Sequence, residues 1–575
     1  MIDLKFSEIV KINNNLLNEL SGSYTIGIVS NIIVTQLKPI LEYDLRKKGI
    51  PAMCTIGDYD NIMQDVTHLN KSNAVLIYWE LANLIDGFQY KSNLLNPDHT
   101  NEYITRFKSE IDYVFTQLKS TPLVLINKFS TLAFNHYFIE YNNFDYICDT
   151  LNNYIKEKAA SNMVIIDIGK IISKLSIEKS VDFRDYYSSK ALYTINFFKN
   201  YVAFISPVIG AINGKRKKAI IFDCDNTLWE GIIGEDGVDG IKMSSSSHKG
   251  VIYEEIQFIA KELARNGVLV GLNSKNNLND VEEVLKIHPD ISLKDDEIVI
   301  KKINWEEKVA NLENISKELN LGIDSLVFVD DSDFEINLVN QFQPEVTTIQ
   351  VPNERYLYPS KLREKFNLFY TKDYTKEDKN RVAMYQQEKL RVDEKVNFKS
   401  IEQYLESLGL GIKIHIDDLE LVNRTAQLTQ KTNQFNLTTK RYTENEIRSF
   451  MLSEEHMVFS LGVYDKYGDY GITGVVIIDI VGSLGKIDTL LLSCRVLGRN
   501  IELILNDVVV ENLLKKGIKK VSGHYIKTLK NEQVEMLYDK LNFTPTKSDG
   551  EIKEYLINIE DYTPHSLNYI TKNYA

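Results

Sequence analysis

The chain has 575 residues, too many for one hydrophobic core, and at roughly 150 residues per domain its length predicts three or four packed units. With 43% hydrophobic and 26% charged residues it falls in the globular range, which excludes collagen-like, fibrous and wholly disordered chains. The net charge of −13 has the wrong sign for nonspecific binding to nucleic acid or to an anionic membrane surface, so we expect neither partner.

The four cysteines lie far apart and form no C-x-x-C pair: Cys54, Cys148, Cys224 and Cys494. This spacing argues against a zinc ribbon or a disulfide framework and favours a reducing compartment. The first residues lack the pattern of a secretion signal, and we identify no run of about 18 apolar residues. We therefore expect a cytoplasmic protein in which any reactive cysteine acts alone.

Residues 1–205 alternate short apolar runs with segments of helix length. Buried strands are predicted at 24–30, 51–56, 74–79, 122–126 and 163–168. Strands that alternate with helices are typical of a parallel sheet covered on both faces. We expect an α/β domain over these residues.

A second alternation begins at residue 219. Strands are predicted at 219–222, 268–272 and 326–329, and helices near 250–265, 278–287 and 306–320. Four basic residues at 215–218 precede the first of these strands, and we interpret them as a solvated strand entrance rather than a nucleic-acid patch. We assign residues 206–375 to this second α/β domain.

The last part of the chain begins with a polar, charge-rich stretch at 372–397, which predicts a helical connector. Strands are then predicted at 457–464, 471–480 and 487–493, among helices. Residues 376–575 therefore form a third, mixed α/β domain in our prediction, and the expected fold class is α/β throughout.

The segment Asp223-Cys224-Asp225 directly follows the predicted strand 219–222. Ligands bind at the carboxyl ends of strands in open α/β sheets, so this segment delivers two carboxylates to a ligand-binding edge. One carboxylate can attack phosphorus while the other protonates the leaving oxygen and later activates water. A D-x-D segment alone also occurs in loops, so its companions decide its meaning.

Three further segments carry matching chemistry. Ser274 follows the strand 268–272, Lys308 lies near the start of the helix 306–320, and Asp330 and Asp331 end the strand 326–329. They supply a hydroxyl and an ammonium for phosphoryl oxygens and an acidic pair for Mg²⁺. The sequence therefore predicts phosphoryl transfer with Mg²⁺ as the cofactor.

The order and spacing of these segments resemble the haloacid dehalogenase (HAD) superfamily. The resemblance implies that Asp223 is a nucleophile that forms an aspartyl-phosphate and that Asp225 is the acid/base. It also implies that Ser274 and Lys308 hold the phosphoryl oxygens. The implied metal ligands are Asp223, the backbone carbonyl of Asp225, and Asp330 with or without Asp331. We add Thr227 and Asn276 as candidate substrate contacts.

The intervals between these segments are short: 51 residues from Asp223 to Ser274 and 34 from Ser274 to Lys308. They leave room for core helices and for a small glycine-rich flap at 229–240, but for no cap domain. The flap glycines, expected to form turns, are Gly231, Gly234, Gly237 and Gly240. We expect an open site that suits a bulky or carrier-bound substrate.

A closer resemblance rests on D-C-D-N-T-L-W-E-G-I-I-G-E-D-G at 223–237, A-Q-L-T-Q-K-T-N-Q-F-N-L-T at 426–438 and L-S-C-R-V-L-G-R at 492–499. These segments are similar to the FkbH subgroup of phosphatase-like proteins, over roughly residues 215–575. The resemblance implies transfer of a glyceryl unit from 1,3-bisphosphoglycerate, with loss of phosphate, onto an acyl carrier protein as a thioester. The implied partners are thus a small phosphorylated three-carbon substrate and the phosphopantetheine arm of a carrier.

The segment from the strand 487–493 to Arg499 and the helix after it is similar to the acyl-CoA-binding turn of GNAT acyltransferases. Asn500 stands where that turn has a small residue, so we expect a pantetheine arm rather than CoA. Cys494 lies at the strand end beside Arg495 and Arg499, surroundings that lower a thiol pKa. With the family resemblance, this predicts that Cys494 forms a thioester and that the two arginines contact the substrate.

Three uncharged side chains of the segment 426–438 are candidate ligands for glyceryl hydroxyls or an amide-rich arm, with helix-end capping as the alternative: Gln430, Asn433 and Asn436. The amino-terminal domain weakly resembles an SGNH-hydrolase module. Ser30 stands at the first strand end, but no Gly-Asp-Ser surrounds it and 183–187 lacks a D-x-x-H dyad. We expect a docking or structural role for this domain.

Two other functions remain open from the sequence. A Mg²⁺-dependent HAD phosphatase acting on a small molecule or glycan phosphate would be indifferent to Cys494. A nonenzymatic scaffold would have to tolerate Asp223→Asn, which the intact set of charged groups disfavours.

Overall fold

The computed structural model describes residues 1–20, 22–371, 385, 391, 398, 400–528, 530–565 and 567–575, without the side chain of Cys494. The chain forms two compact units, Met1–Asn213 and Gly214–Ala575. The expected boundary near residue 205 lies inside a helix, Ile195–Ile212, and the first unit ends one residue after that helix.

A five-stranded parallel sheet of order β2-β1-β3-β4-β5 forms the centre of the first unit. Its strands are β1 Tyr24–Ser30, β2 Ala52–Ile56, β3 Ala74–Tyr78, β4 Leu123–Asn127 and β5 Met163–Ile166. The strands β3 and β4 are buried along their whole length, which explains why uninterrupted apolar runs predicted them. The helices are Phe6–Leu17, Leu37–Lys47, Ile62–Leu69, Phe88–Lys91, Pro97–Gln117, Leu132–Asn135, Asn143–Lys158, Ile168–Leu175, Ile177–Ser180, Phe183–Ser189 and Ile195–Ile212.

The helix Ile195–Ile212 is long and apolar enough to cross a membrane by length and composition, with a mean hydropathy of 1.3. The expectation that no such run exists was therefore wrong. Polar residues such as Lys199 had hidden the run; its ammonium donates to the backbone carbonyls of Ile2 and Leu4. Because 61% of the helix is buried inside the fold, its apolar surface packs in the core, as in the core helix of a globular protein.

The second unit contains two sheets. The first is parallel, with order β10-β9-β6-β7-β8. Its strands are β6 Ala219–Phe222, β7 Leu269–Ser274, β8 Ile298–Ile303, β9 Leu326–Asp330 and β10 Thr347–Gln350. The helices over this part of the chain are Ile233–Gly240, Gly250–Arg265, Leu278–Ile287, Lys308–Glu318, Asp333–Phe342 and Tyr358–Arg363.

The other sheet has eight strands in the order β16-β17-β15-β14-β13-β12-β11-β18 and mixes parallel with antiparallel pairs. The strands are β11 Gly411–Ile416, β12 His456–Asp465, β13 Gly468–Val481, β14 Leu484–Leu492, β15 Lys520–Ile526, β16 Thr544–Ser548, β17 Ile552–Asn558 and β18 Thr571–Tyr574. Its described helices are Ile401–Ser407, Val422–Lys431, Glu444–Met451, Ile501–Lys515 and Leu537–Lys540.

The predicted connector at 372–397 lies outside the described residues except at Tyr385 and Arg391, and so does the expected boundary near residue 375. Both sheets that follow residue 213 belong to one compact unit. The α/β fold class is confirmed, while the division of residues 206–575 into two domains stays a prediction.

The strands β14 and β15 diverge after a short parallel pairing of Leu484–Ile487 with Lys520–Gly523. The segment 435–438 of the same chain lies in the wedge between them. The amide of Leu492 donates to the carbonyl of Phe435 at 3.0 Å, and the amide of Ile526 donates to the carbonyl of Leu437 at 2.8 Å. The backbone groups exposed by the divergence are therefore paired inside the chain.

Candidate active site

The predicted phosphoryl-transfer residues meet at the carboxyl edge of the sheet β6–β10. Asp223 directly follows β6, Ser274 ends β7 and Asp330 ends β9, and these three strands are neighbours. Lys308 is the first residue of the helix that follows β8. Parallel strands bring residues that are far apart in sequence to one edge, so the structure brings together the four residues that the sequence predicted.

A short chain of hydrogen bonds links these four side chains. The Ser274 hydroxyl donates to Oδ1 of Asp223 at 2.7 Å, and the Lys308 ammonium donates to the same oxygen at 2.8 Å. Lys308 also donates to Oδ2 of Asp330 at 2.7 Å. All four are at most 5% exposed, so the charges act on one another with little screening by water.

Burial and mutual repulsion among the clustered carboxylates dominate the electrostatics at this edge. Burial alone would lower the pKa of Lys308, but the carboxylates of Asp223 and Asp330 outweigh it and raise that pKa. Burial and the charge of Asp223 raise the pKa of Asp330 to about 7. The same two causes raise the pKa of Asp331, although Arg355 opposes them from 3.3 Å. A further cation would relieve this repulsion.

Asp223, Asp330 and Asp331 each present a carboxylate oxygen, and these oxygens lie within 4.8 Å of one another. Hard oxygen donors in such a cluster are the ligands that Mg²⁺ prefers. The residues present therefore fit a magnesium ion, with both members of the Asp330–Asp331 pair in reach. The carboxylate of Asp225 stands outside this cluster.

Three donors of the flap and β7 edge fix the carboxylate of Asp225. The Trp229 indole N–H donates to its Oδ1 at 2.9 Å and the amide of Ile233 donates there at 3.1 Å. Asn276 donates to its Oδ2 at 3.0 Å and also reaches the Ser274 hydroxyl at 3.1 Å. Burial raises the pKa of Asp225 although these hydrogen bonds oppose the shift. Asn276, predicted as a substrate contact, thus positions two catalytic candidates.

The turn after β6 encloses Thr227. Its side chain is fully buried, and its hydroxyl has no hydrogen-bond partner among the described residues. The prediction that Thr227 contacts the substrate stays a prediction. Cys224 is buried as well, and burial and the charge of Asp223 raise its thiol pKa well above the usual value.

The flap contains the helix Ile233–Gly240 and a bridge between Glu230 and Lys242. Of its four glycines, Gly231 and Gly237 have left-handed backbone angles, with φ of 102° and 67°, whereas the other two do not. Between Asp223 and Lys308, all described, the remaining elements are the helices Gly250–Arg265 and Leu278–Ile287 with β7 and β8. This stretch holds no inserted cap domain, which leaves the edge open.

The residues predicted around Cys494 are mostly engaged within the chain. The backbone of Cys494 begins a turn, Cys494–Val496, directly after β14, and its side chain lies outside the described part of the structure. Arg499 is buried, lies 4.7 Å from the centre of the Tyr470 ring and donates to the Arg495 carbonyl at 3.0 Å. These contacts hold Arg499 in place within the chain, and its predicted contact with the substrate stays a prediction.

The amide side chains of the segment 426–438 are also used internally. Asn436 is fully buried; it donates to the Thr432 carbonyl and accepts from the amides of Thr438 and Thr439. Gln430 donates to the Tyr442 carbonyl, and Oδ1 of Asn433 accepts from Arg441 at 2.7 Å. For Asn436 the capping alternative is correct, because both ends of its amide are occupied out of reach of solvent.

A small cavity of about 110 Å³ lies between the two sheets of the second unit. Ser493 and Arg495, the neighbours of Cys494, line it, and so does Asn433. Six cationic side chains from both sheets contribute to its wall: Arg216, Lys218, Arg424, Lys431, Arg495 and Lys530. The cavity therefore offers a phosphate or carboxylate group a basic environment beside the Cys494 turn.

The four basic residues 215–218 are half-buried rather than solvated, which corrects our interpretation. Lys217 donates to the backbone carbonyls of Asp324 at 2.7 Å and Glu345 at 3.2 Å, and burial lowers its pKa to about 8. Lys217 thus links backbone segments at the amino edge of the sheet, while Arg216 and Lys218 line the cavity.

At the carboxyl edge of the amino-terminal sheet, the side chains bond to one another. The Ser30 hydroxyl accepts from the amide of Ile32, and Asn31 pairs with both backbone groups of Glu80. Glu80 is buried and accepts from the Tyr193 hydroxyl at 2.8 Å. Sequence reasoning missed Glu80, although a carboxylate one residue beyond the predicted strand 74–79 was a usable signal.

Comparison with solved structures identifies a likeness of fold. The N-terminal part of the protein BF1531 from Bacteroides fragilis, which contains a phosphatase domain and was crystallised with Mg, is 23% identical, with a TM-score of 0.58. The match covers 64% of this chain and all of that one. The chain therefore shares the fold of a phosphatase-domain protein, which agrees with the HAD-like core predicted from the motifs.

Two acetyltransferases match shorter parts of the chain. The ribosomal-protein-S18-alanine N-acetyltransferase of Escherichia coli is 14% identical, with a TM-score of 0.20, over 25% of this chain and 94% of its own. The N152L mutant of spermidine N-acetyltransferase SpeG from Vibrio cholerae is 12% identical, with a TM-score of 0.22, over 27% and 98%. At these TM-scores the two matches do not establish a shared fold. No protein-family model and no curated protein sequence matches the chain.

Proposed function

We propose that the chain is a Mg²⁺-dependent phosphoryl-transfer enzyme of the HAD type that acts on a small phosphorylated acyl substrate and passes a glyceryl unit to an acyl carrier protein through Cys494. The observation that carries the phosphoryl-transfer part is the contact of one Asp223 oxygen with both Ser274 and Lys308, beside two more carboxylates. The likeness to a phosphatase-domain fold supports it. The glyceryl and carrier part rests on the FkbH resemblance.

In the first step, a carboxylate oxygen of Asp223 attacks phosphorus as the bond from phosphorus to the leaving oxygen breaks. Ser274 and Lys308, already within 2.8 Å of Asp223, lie where hydrogen bonds to the phosphoryl oxygens are needed. Asp225 gives its proton to the leaving oxygen. Its raised pKa favours the protonated form that this role requires.

In the second step, water attacks phosphorus, the bond to Asp223 breaks, and Asp225 takes the proton of the water. The hydrogen bonds from Trp229 and Asn276 hold Asp225 in one orientation for both transfers. Asp223, Asp330 and Asp331 would hold Mg²⁺, which supplies positive charge for the phosphoryl oxygens when bound.

The acyl-transfer part would use the other edge of the same sheet. Lys218, in the wall of the basic cavity, directly precedes β6, while Asp223 directly follows it. At about 3.3 Å per residue, their Cα atoms are about 16 Å apart. A substrate held beside the Cys494 turn cannot touch Asp223 at the same time, so the two reactions need an intermediate that moves. A carrier arm would keep that intermediate attached.

A plain Mg²⁺-dependent phosphatase is the second candidate function. The observation that favours it is that the phosphoryl site is assembled from residues 223–331 without any side chain of the eight-stranded sheet. Such an enzyme would release phosphate without a carrier protein and would be unaffected by changes at Cys494.

Intact-mass spectrometry after incubation with 1,3-bisphosphoglycerate and Mg²⁺ separates the two candidates. We expect a three-carbon acyl adduct on the wild type and on a Cys148→Ala control, none on Cys494→Ala, and transfer of the adduct to an added acyl carrier protein. No adduct on the wild type, or an equal adduct on Cys494→Ala, contradicts the thioester role. Phosphate release without any adduct would support the second candidate, a plain phosphatase.

A further inference from the structure

An open groove of about 380 Å³ runs beside the phosphoryl site, along the loops that follow β7 and β8. Asn276, whose amide contacts both Asp225 and Ser274, forms the end nearest the reacting groups. The other wall residues are Asn277, Leu278, Asn279, Asp280, Ile303, Asn304 and Trp305. A substrate whose phosphate reaches Asp223 would extend its organic part into this groove, whose volume suits a small ligand.

The groove wall is amide-rich and aromatic, with a carboxylate among its lining residues. Four asparagines contribute amides, which both donate and accept hydrogen bonds. Trp305 is 70% exposed, and its indole N–H is directed to Oδ1 of Asn277 at 3.3 Å. This contact orients the indole while most of its surface stays open to solvent. The indole face is therefore available to pack against a ligand in the groove.

The one charged side chain in the groove wall is Asp280. It accepts from the Asn277 amide at 3.2 Å, so it is fixed beside the residue that orients Trp305. A carboxylate there repels an anionic group on the substrate. The groove wall provides no lysine or arginine to pair with such a group.

We propose that this groove, with Trp305 as its central contact, binds the organic part of the phosphorylated substrate and selects an uncharged, hydroxyl- or amide-bearing group over a free carboxylate. The inference rests on the proposed phosphoryl transfer at Asp223 and names its substrate class. For a phosphoglyceryl unit it means that the carboxyl group is already masked when the phosphate is removed.

Steady-state phosphate release with paired substrates tests the groove. 3-Phosphoglycerate and its primary amide differ only in the carboxylate, and p-nitrophenyl phosphate serves as a generic phosphate ester. Trp305→Ala is expected to raise KM for the amide about tenfold with little change in kcat. Phe342→Ala, which removes an exposed ring outside the groove, is the matched control and should change nothing.

Asp280→Asn provides a gain-of-function arm. In the wild type, kcat/KM should be higher for the amide than for 3-phosphoglycerate. In the variant the ratio of the two kcat/KM values should fall about fivefold, because the repulsion of the carboxylate is removed. 4′-Phosphopantetheine and sorbitol 6-phosphate then test whether the groove prefers an amide-bearing ligand or a polyol. Trp305→Ala should raise KM more for the substrate whose organic part binds in the groove.

The possible results distinguish a failure of the groove hypothesis from a failure of the proposed phosphoryl transfer. Equal KM values for Trp305→Ala and wild type on all these substrates, or a wild-type preference for the free carboxylate, overturn the inference while phosphate release itself continues. If no substrate, including p-nitrophenyl phosphate, is turned over by the wild type with Mg²⁺, the proposed function fails instead.

Discussion

Asp223 and Asp225 are two residues apart, yet their surroundings give them different chemistry. Asp223 contacts an ammonium and a hydroxyl, which hold its carboxylate at the carboxyl edge of the sheet, where a nucleophile is needed. Asp225 is held by an indole, an amide side chain and a backbone amide, and burial raises its pKa. The two carboxylates are thereby separated into a nucleophile and an acid/base.

This division predicts that the loss of rate in Asp225→Asn depends on the leaving group of the substrate. An alkyl phosphate needs a proton on its departing oxygen, so the variant should lose about 10²–10⁴-fold in rate on such a substrate. p-Nitrophenolate leaves without a proton, so its initial release should be nearly normal. Stopped-flow kinetics on both esters measure this difference. An equal loss on both would contradict the acid role.

Glu80 predicts a pH dependence of the stability of the first unit. Burial raises its pKa from 4.5 to about 7, so the folded state keeps the proton over a range in which the unfolded chain has lost it. The stabilisation is complete below pH 4.5 and is lost as pH rises through about 7. Relative to Glu80→Gln, the wild type should lose about 3 kcal/mol of unfolding free energy over this range.

Pulse proteolysis across a urea series, with fragments of residues 1–213 identified by mass, measures that difference in the full chain. Parallel pH curves for the wild type and Glu80→Gln would mean that Glu80 has an ordinary pKa. No sequence pattern announces this shift, because it arises from burial in the folded unit and exceeds the opposing effect of the hydrogen bond from Tyr193, which is 113 residues away.

Sequence predicted the four phosphoryl-site residues because each follows a strand or opens a helix, and chain order then places them at one sheet edge. It could not predict contacts that depend on distant partners. Thr227 is enclosed by the turn after β6, and Arg499, in the turn that follows Cys494–Val496, packs on Tyr470 of β13. Such contacts are set by tertiary packing, which local patterns do not encode.

In the sheet β6–β10 the three central strands were predicted and the two edge strands were not, whereas both edge strands of the first sheet, β2 and β5, were predicted from their apolar runs. The sequence Ile298–Ile303, which forms β8, contains Lys301 and Lys302 and is only partly buried. The strands β16 and β18 are exposed along their whole length. Edge strands are held by backbone pairing on one side, so they need no apolar run that a pattern could detect.

The segment 435–438 is the element that most changes the expected chemistry. It fills the wedge between β14 and β15, where its backbone pairs with both strands. A pantetheine arm at the Cys494 turn would therefore find these strand groups already paired.

Asn436→Ala tests the structural role of this segment. The variant leaves the amides of Thr438 and Thr439 without the Asn436 oxygen in a buried turn, which should cost about 2–4 kcal/mol of stability. Calorimetry should show a lower unfolding temperature, while KM at the phosphoryl site stays unchanged. A raised KM with normal stability would instead assign Asn436 to the substrate.

At the scale of the whole molecule, the parallel sheet β6–β10 has a different kind of site at each edge. Its carboxyl edge has acids, a lysine and an open amide-rich groove, whereas its amino edge adjoins a basic cavity near the Cys494 turn. In the function that we propose, this arrangement would separate the phosphate chemistry from the thiol chemistry within one compact unit.

The central claim is that Asp223 transfers phosphate with Mg²⁺. The most direct measurement is the rate of phosphate release by wild type and Asp223→Asn, purified in parallel, across a Mg²⁺ titration. Our account predicts saturable, Mg²⁺-dependent turnover by the wild type, loss of that turnover with EDTA, and none above background for Asp223→Asn. Turnover by Asp223→Asn equal to that of the wild type would contradict it.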